Sequence, residues 1–175
     1  RYKVVGRAAG SNHAGRFEAH SREAVSDGWD RDDVLPVLRT QTTIEVPRKV
    51  ITYNTSPDLP FDRSINPYRG CEHGCVYCFA RPSHAYLGLS PGLDFETRLI
   101  ARPDAAEVLR KELAARKYRP APIAIGTNTD PYQPIEKTHG IMRRCLEVLS
   151  DCNHPVAIVT KGSLIERDID ILADM

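Results

Sequence analysis

The chain has 175 residues, 41% of them hydrophobic, and a formal net charge of +1. That length can bury one core, while near-neutrality supplies no global field that would draw the chain onto nucleic acid or a membrane surface. No apolar run approaches the roughly 18 residues of a transmembrane helix, and the opening Arg1-Tyr-Lys-Val-Val-Gly-Arg7 lacks the long apolar stretch of a secretory signal, so a reducing, cytoplasmic location is expected.

Residues 1 to about 40 are polar, with Gly, Ser, Asn and Asp throughout, and His13, Phe17, Trp29 and Arg31-Asp-Asp33 follow no sustained period. This predicts an irregular extension, partly disordered or draped over the domain. Residues 41–53 alternate and are β-branched, giving one or two short strands with Pro47 at an edge or break, and 54–60 is a turn-rich link. The N-terminal extension thus covers residues 1–60 and the main domain 61–175.

Residues 61–68 read as a strand leading into a loop with three cysteines. A helix is expected over about 78–86, a loop over 87–92 and an alternating strand over 94–101. Pro103 opens a helix at a position that needs no backbone donor; its apolar face is Ala105, Val108, Leu109 and Leu113, and it ends before Pro120. Pro122-Ile-Ala-Ile-Gly126 is a short apolar strand of the kind buried on both faces. A second helix carries Ile141, Cys145, Leu146, Val148 and Leu149. Residues 155–160 form another buried strand, and 164–172 another helix. Alternating strand and helix predicts an α/β fold with about three parallel βα units, whose ligands gather at the carboxyl ends of the strands. Three segments are expected there: the cysteine loop, residues 126–134, and Thr160-Lys161-Gly162. The first residue is not Met, and Met175 follows directly on a periodic helix, so the sequence reads as a segment of a longer protein.

The chemistry concentrates in Cys71-Glu-His-Gly-Cys75-Val-Tyr-Cys78. Three thiolates with C-x3-C-x2-C spacing can hold three irons of a [4Fe–4S] cluster and leave the fourth open to a small molecule. Gly70 and Gly74 can take positive φ, which lets the backbone fold tightly and aim the sulfurs inward. Structural zinc needs four ligands, usually in two separated pairs, so His73 or His84 would have to complete the set. Disulfides are disfavoured by five cysteines and no secretory signal. Cys145 and Cys152 read as buried small hydrophobes in a helix.

At the strand ends, Thr127, Asn128, Thr129 and Asp130 can bind an amino group or a ribose; helix capping needs only one such residue. Lys161 pairs with a carboxylate or is a surface lysine. Tyr77 is expected to pack beside the cysteines. Tyr132 and Gln133 face the site or only shape the Pro131/Pro134 turn. Lys111, Arg116, Lys117 and Arg119 read as a solvated helix terminus rather than a DNA patch.

The cysteine triad with an aromatic residue before its last Cys resembles the radical S-adenosylmethionine (SAM) enzymes. Within them, Asn66-Pro-Tyr-Arg-Gly-Cys71, Cys75-Val-Tyr-Cys78, Thr127-Asn-Thr-Asp130 and Val159-Thr-Lys161 resemble the spore photoproduct lyase-like group, often called DNA repair photolyases. The resemblance covers residues 65–172. It implies a partial (β/α) barrel, of which residues 61–175 supply the N-terminal portion. Cys71, Cys75 and Cys78 become cluster ligands. Thr129 contacts the methionyl part of SAM, Lys161 pairs with its carboxylate, and the backbone around Tyr77 meets the adenine. The implied reaction is reductive cleavage of SAM to a 5′-deoxyadenosyl radical that abstracts a hydrogen atom, with an external flavodoxin- or ferredoxin-type electron donor. The implied substrate is a DNA pyrimidine lesion, acted on by a lyase. Thr127 stands where spore photoproduct lyase has a hydrogen-donating Cys, and a threonine hydroxyl is a far poorer donor than a thiol. The readings from other classes are an electron-transfer iron–sulfur protein and a zinc-stabilised binding module.

Overall fold

The computed structural model describes residues 7–20 and 38–175; the readings at Trp29 and Arg31–Asp33 lie outside them. The chain packs as two compact units. The first combines the residues up to Thr43 with Gly70–Leu99, and the second combines Ile44–Arg69 with Ile100–Met175. The boundary expected at residue 60 therefore falls inside the second unit, because the units follow packing rather than chain order.

The second unit is built on a four-stranded sheet. β1 (Gln41–Ile44) and β2 (Ile51–Tyr53) flank Pro47 as expected. The predicted strand over 61–68 splits into β3 (Arg63–Ile65) and β4 (Tyr68–Arg69), since Pro67 has no N–H to give a ladder. β5 is Arg98–Ala101, β6 Ile123–Ile125 and β7 Val156–Ile158. The sheet order is β2-β3-β6-β7. β2 runs antiparallel to β3 (Ile51↔Ile65), and β3, β6 and β7 run parallel, with Ile65, Ile125 and Ile158 on one level. This register sends the chain out of all three parallel strands at one sheet edge. A second sheet has the order β1-β5-β4, with β4 antiparallel to β5 (Tyr68↔Ala101). Both sheets are open among the described residues.

β6 is wholly buried, as its sequence predicts. β7 is not: it ends the strand order, with Ala157 and Val159 exposed. The helices α2 (Ala105–Leu113) and α4 (Ile141–Asp151) supply the core expected of them. Leu109, Ile141, Met142, Cys145, Leu146 and Leu149 are fully buried with Ile65, Ile123 and Ile125, each large aliphatic side chain contributing about 1.5–3 kcal/mol. Cys145 belongs to this core, and burial pushes its thiol up to about 12. Cys152 does not; it caps the end of α4 and is exposed. A short helix α3 (Glu136–His139) precedes α4. The predicted 164–172 helix is a 3-10 turn (Ser163–Asp168) followed by α5 (Ile169–Asp174).

Two further expectations change in the first unit. The helix after the cysteines is a 3-10 helix, Arg81–Leu87, and the strand predicted over 94–101 begins as helix α1 (Leu93–Thr97). The Thr97 hydroxyl donates to the Leu93 carbonyl at 2.7 Å, a one-turn closure that alternation conceals. Among the described residues no helix is long and apolar enough to cross a membrane.

Candidate functional site

Gly70 and Gly74 adopt φ of +76° and +60°. A Cβ on Gly70 would lie 2.6 Å from Leu99 Cδ2 and 2.9 Å from the Phe95 carbonyl. Glycine is thus required beside Cys71 both for conformation and for space. The Cys71 N–H donates to Phe95 O (2.9 Å), and the Cys78 N–H closes a turn onto Cys75 O (3.2 Å). Cys71 is buried, and Cys75 and Cys78 are half-buried. All five cysteines carry thiols. Val76, Tyr77 and Phe79 are exposed, Tyr77 at 74%.

Beneath the loop lies Glu96, fully buried. Its burial pushes the carboxyl pKa up, but hydrogen bonds from Arg81 and from the N–H groups of Ala8, Ala9 and Arg7 outweigh this and hold it below the usual range. Arg81 also lies over the Phe95 ring, 5.4 Å from its centroid. His84 is buried edge-on against Phe95 with Nε2 at 2.9 Å from Arg98 O. That nitrogen is committed to a carbonyl rather than available to a metal, and burial pushes the imidazole pKa down. Among the described residues no three His, Cys, Asp or Glu side chains already converge as metal ligands. The donor set, three thiols on eight consecutive residues, is nonetheless chemically suited to a three-thiolate iron–sulfur cluster.

In the second unit the strand ends are cross-braced. Asn66, just past β3, accepts the Asn128 N–H on Oδ1 (3.0 Å), and its amide lies 3.4 Å from the Thr127 hydroxyl. Asp130 Oδ1 accepts from Thr160 Oγ1 (2.6 Å) and the Tyr132 N–H (2.9 Å), and Oδ2 accepts from the Lys161 N–H (2.8 Å). Thr127, Asn128, Thr129, Asp130 and Lys161 are therefore brought to one edge of one sheet. Their roles differ: Asp130 is a bracket between two loops, Thr129 is buried and accepts from Gln133 Nε2 (3.1 Å), and Lys161 is exposed. Tyr132 serves the interior instead, donating to buried Asp168 at 3.1 Å. The basic residues Lys111, Arg116, Lys117 and Arg119 are exposed.

Over 116 residues the chain is 45% identical to uncharacterized proteins of Mycobacterium tuberculosis and Mycobacterium bovis, a stretch covering 66% of this chain and 34% of each relative. It is 26% identical over 107 residues to an uncharacterized protein of Methanocaldococcus jannaschii, covering 61% of this chain and 38% of that protein. The chain spans about a third of the length of these curated relatives. No family profile and no solved structure matches it.

Sequence reasoning missed Glu96, Arg81 and Arg7, which hold the cysteine loop, and the buried pair Glu136 and Asp168. Asn66 lies within Asn66-Pro-Tyr-Arg-Gly-Cys71, where sequence alone assigns it no separate role. The signal that could have exposed Glu96 is a carboxylate in a stretch otherwise read as half-buried strand, between Phe95 and Leu99, which needs paired partners if it is buried.

Proposed function

We propose that this chain is part of a radical SAM enzyme of the spore photoproduct lyase-like group, with a partial-barrel fold. Cys71, Cys75 and Cys78 hold a [4Fe–4S] cluster; Thr129 and Lys161 take the methionyl end of SAM; Tyr77, Thr127, Asn128 and Asp130 complete the cofactor environment. The observation that carries this reading is the triad Cys71, Cys75 and Cys78, none of them in a disulfide, on a loop whose two glycines have positive φ. When bound, the cluster supplies one electron to SAM and so a 5′-deoxyadenosyl radical. The chain's own part is ligation by the thiolates and orientation by a braced strand edge, with Asp130 holding the Thr129 and Lys161 loops together. A reducing cytoplasm suits the thiols, and a flavodoxin- or ferredoxin-type protein supplies the electron. The substrate class is a DNA pyrimidine lesion. With threonine at position 127, the hydrogen atom must return to the product from another group.

The test is anaerobic. The protein is reconstituted with iron and sulfide, reduced with dithionite, given SAM and assayed for 5′-deoxyadenosine. Brown protein that forms 5′-deoxyadenosine, and loses it in Cys75→Ala, is the expected result. Brown full-length protein without product indicates electron transfer, and colourless protein retaining about one zinc indicates a binding module; either overturns the proposal.

A further inference from the structure

The N-terminal segment is tied to the cysteine loop at several points within the first unit. Glu96 accepts the successive N–H groups of Arg7 (2.7 Å), Ala8 (3.1 Å) and Ala9 (2.9 Å). Consecutive N–H groups form an anion-binding concavity, and here the anion is a buried side chain of the same chain. The same carboxylate pairs with Arg81, whose Nε donates to the Cys75 carbonyl at 3.0 Å. Arg7 extends the tie from the other side: its guanidinium donates to Glu72 Oε1 (2.8 Å) and Thr40 Oγ1 (2.9 Å). Glu72 lies beside Cys71 in sequence and is itself buried. Between these ties the segment lies directly on the loop, for a Cβ on Gly74 would come within 2.6 Å of Arg7 Cβ.

We infer that Glu96 and Arg7 are positioning residues for the thiol loop: the N-terminal segment is a clamp that sets the Cys71–Cys75 half of the loop and keeps Cys71 buried before any cofactor is present. The inference rests on the proposed function for the loop's purpose, but the clamp itself belongs to the metal-free protein. Arg7, 65 positions from Glu72 in sequence, is thereby part of the site's construction. The contacts also divide the loop: the Cys71–Cys75 half is held, and Val76, Tyr77 and Phe79 are left exposed.

The experiment uses the reduced, metal-free, full-length protein, pulsed with N-ethylmaleimide and mapped by peptide mass spectrometry so that each cysteine is timed separately. In the wild type, Cys71 and Cys145 should react slowly and Cys152 fast. In Glu96→Gln and in Arg7→Ala, the Cys71 rate should rise at least tenfold while Cys145, in the core of the other unit, keeps its rate. Arg7→Lys, which unlike Arg7→Ala retains a cation for Glu72, should stay within twofold of wild type. Cys71 rates within twofold of wild type in both Glu96→Gln and Arg7→Ala overturn the inference, as does a Cys145 rate that rises in step with Cys71. Arg7→Lys behaving like Arg7→Ala overturns the part assigned to the Glu72 tie. Failure of wild-type protein to take up iron would instead refute the cofactor reading and leave this contrast to be judged by itself.

Discussion

Gly126→Ala measures how tightly the strand edge that carries Thr127–Asp130 is closed. Gly126 has φ +94°, and a Cβ there would stand 2.0 Å from the Val159 carbonyl oxygen, 3.0 Å from its carbon and 3.2 Å from Pro131 Cδ. Positive φ alone costs an L-residue about 1–2 kcal/mol. The oxygen belongs to backbone and cannot swing aside, so β6 and β7 must part by roughly an ångström at their ends to reach even the closest ordinary Cβ contact. That sacrifices the Val159 N–H bond to Ile125 O (2.9 Å) and strains the Asp130 bonds to Thr160 and Lys161, at about 1 kcal/mol for each bond lost. The sum is about 3–4 kcal/mol. Gly140→Ala is the control: φ is +59° and the nearest atom is the mobile Arg144 Nη1 at 3.8 Å, so only the conformational cost of about 1 kcal/mol remains. With a urea slope of about 2 kcal/mol per molar, the midpoints should fall by about 1.5–2 M and about 0.5 M. Equal shifts for the two variants would refute the reasoning.

Two further outcomes follow from the buried charges of the second unit. Glu136 is fully buried and accepts from the Tyr68 hydroxyl, the Ile141 N–H (2.9 Å) and Arg167 (2.8 Å), so Glu136→Ala should cost about 3–5 kcal/mol; a urea midpoint within error of wild type would contradict that. Burial pushes the Asp168 carboxyl up, but Arg167, Arg143 and Tyr132 outweigh it and hold its pKa below the ordinary range. Its stabilisation is complete above the unfolded value of about 3.9 and disappears as pH falls through the lower native value. The gap in urea midpoint between wild type and Asp168→Asn should be wide at pH 7 and narrow on acidification below pH about 4; a gap that stays constant to pH about 2 would exclude this linkage.

The parts of the fold legible in sequence are those where a local pattern coincides with a buried face. The 3.6-residue spacing of Ala105, Val108 and Leu109, and of Ile141, Cys145 and Leu149, gives α2 and α4, and Ile123-Ala-Ile125 gives a buried strand. Composition does not encode a strand's neighbours, so Val156-Ala-Ile158 reads the same as β6 and yet ends the sheet. Asp94-Phe-Glu-Thr97 alternates like a strand, but Phe95, Glu96 and Thr97 are all buried, since the glutamate has partners that no local rule reveals. The same holds at the candidate site. The thiols declare themselves by spacing, and Thr127–Asp130 by their place after an apolar strand. The partners that fix them are remote: Arg7 for Glu96, Asn66 for Asn128, Thr160 for Asp130.

The Asp130 bracket has a thermodynamic consequence. Two separate loops approaching a ligand would each surrender conformational freedom on binding, at about 0.5–1.5 kcal/mol for every side chain immobilised. One carboxylate that accepts from Thr160 and Lys161 while closing its own turn at Tyr132 moves part of that loss into folding. The Thr160–Lys161 segment is thereby tied to the Asp130 turn, and a substitution at either loop should be felt at the other.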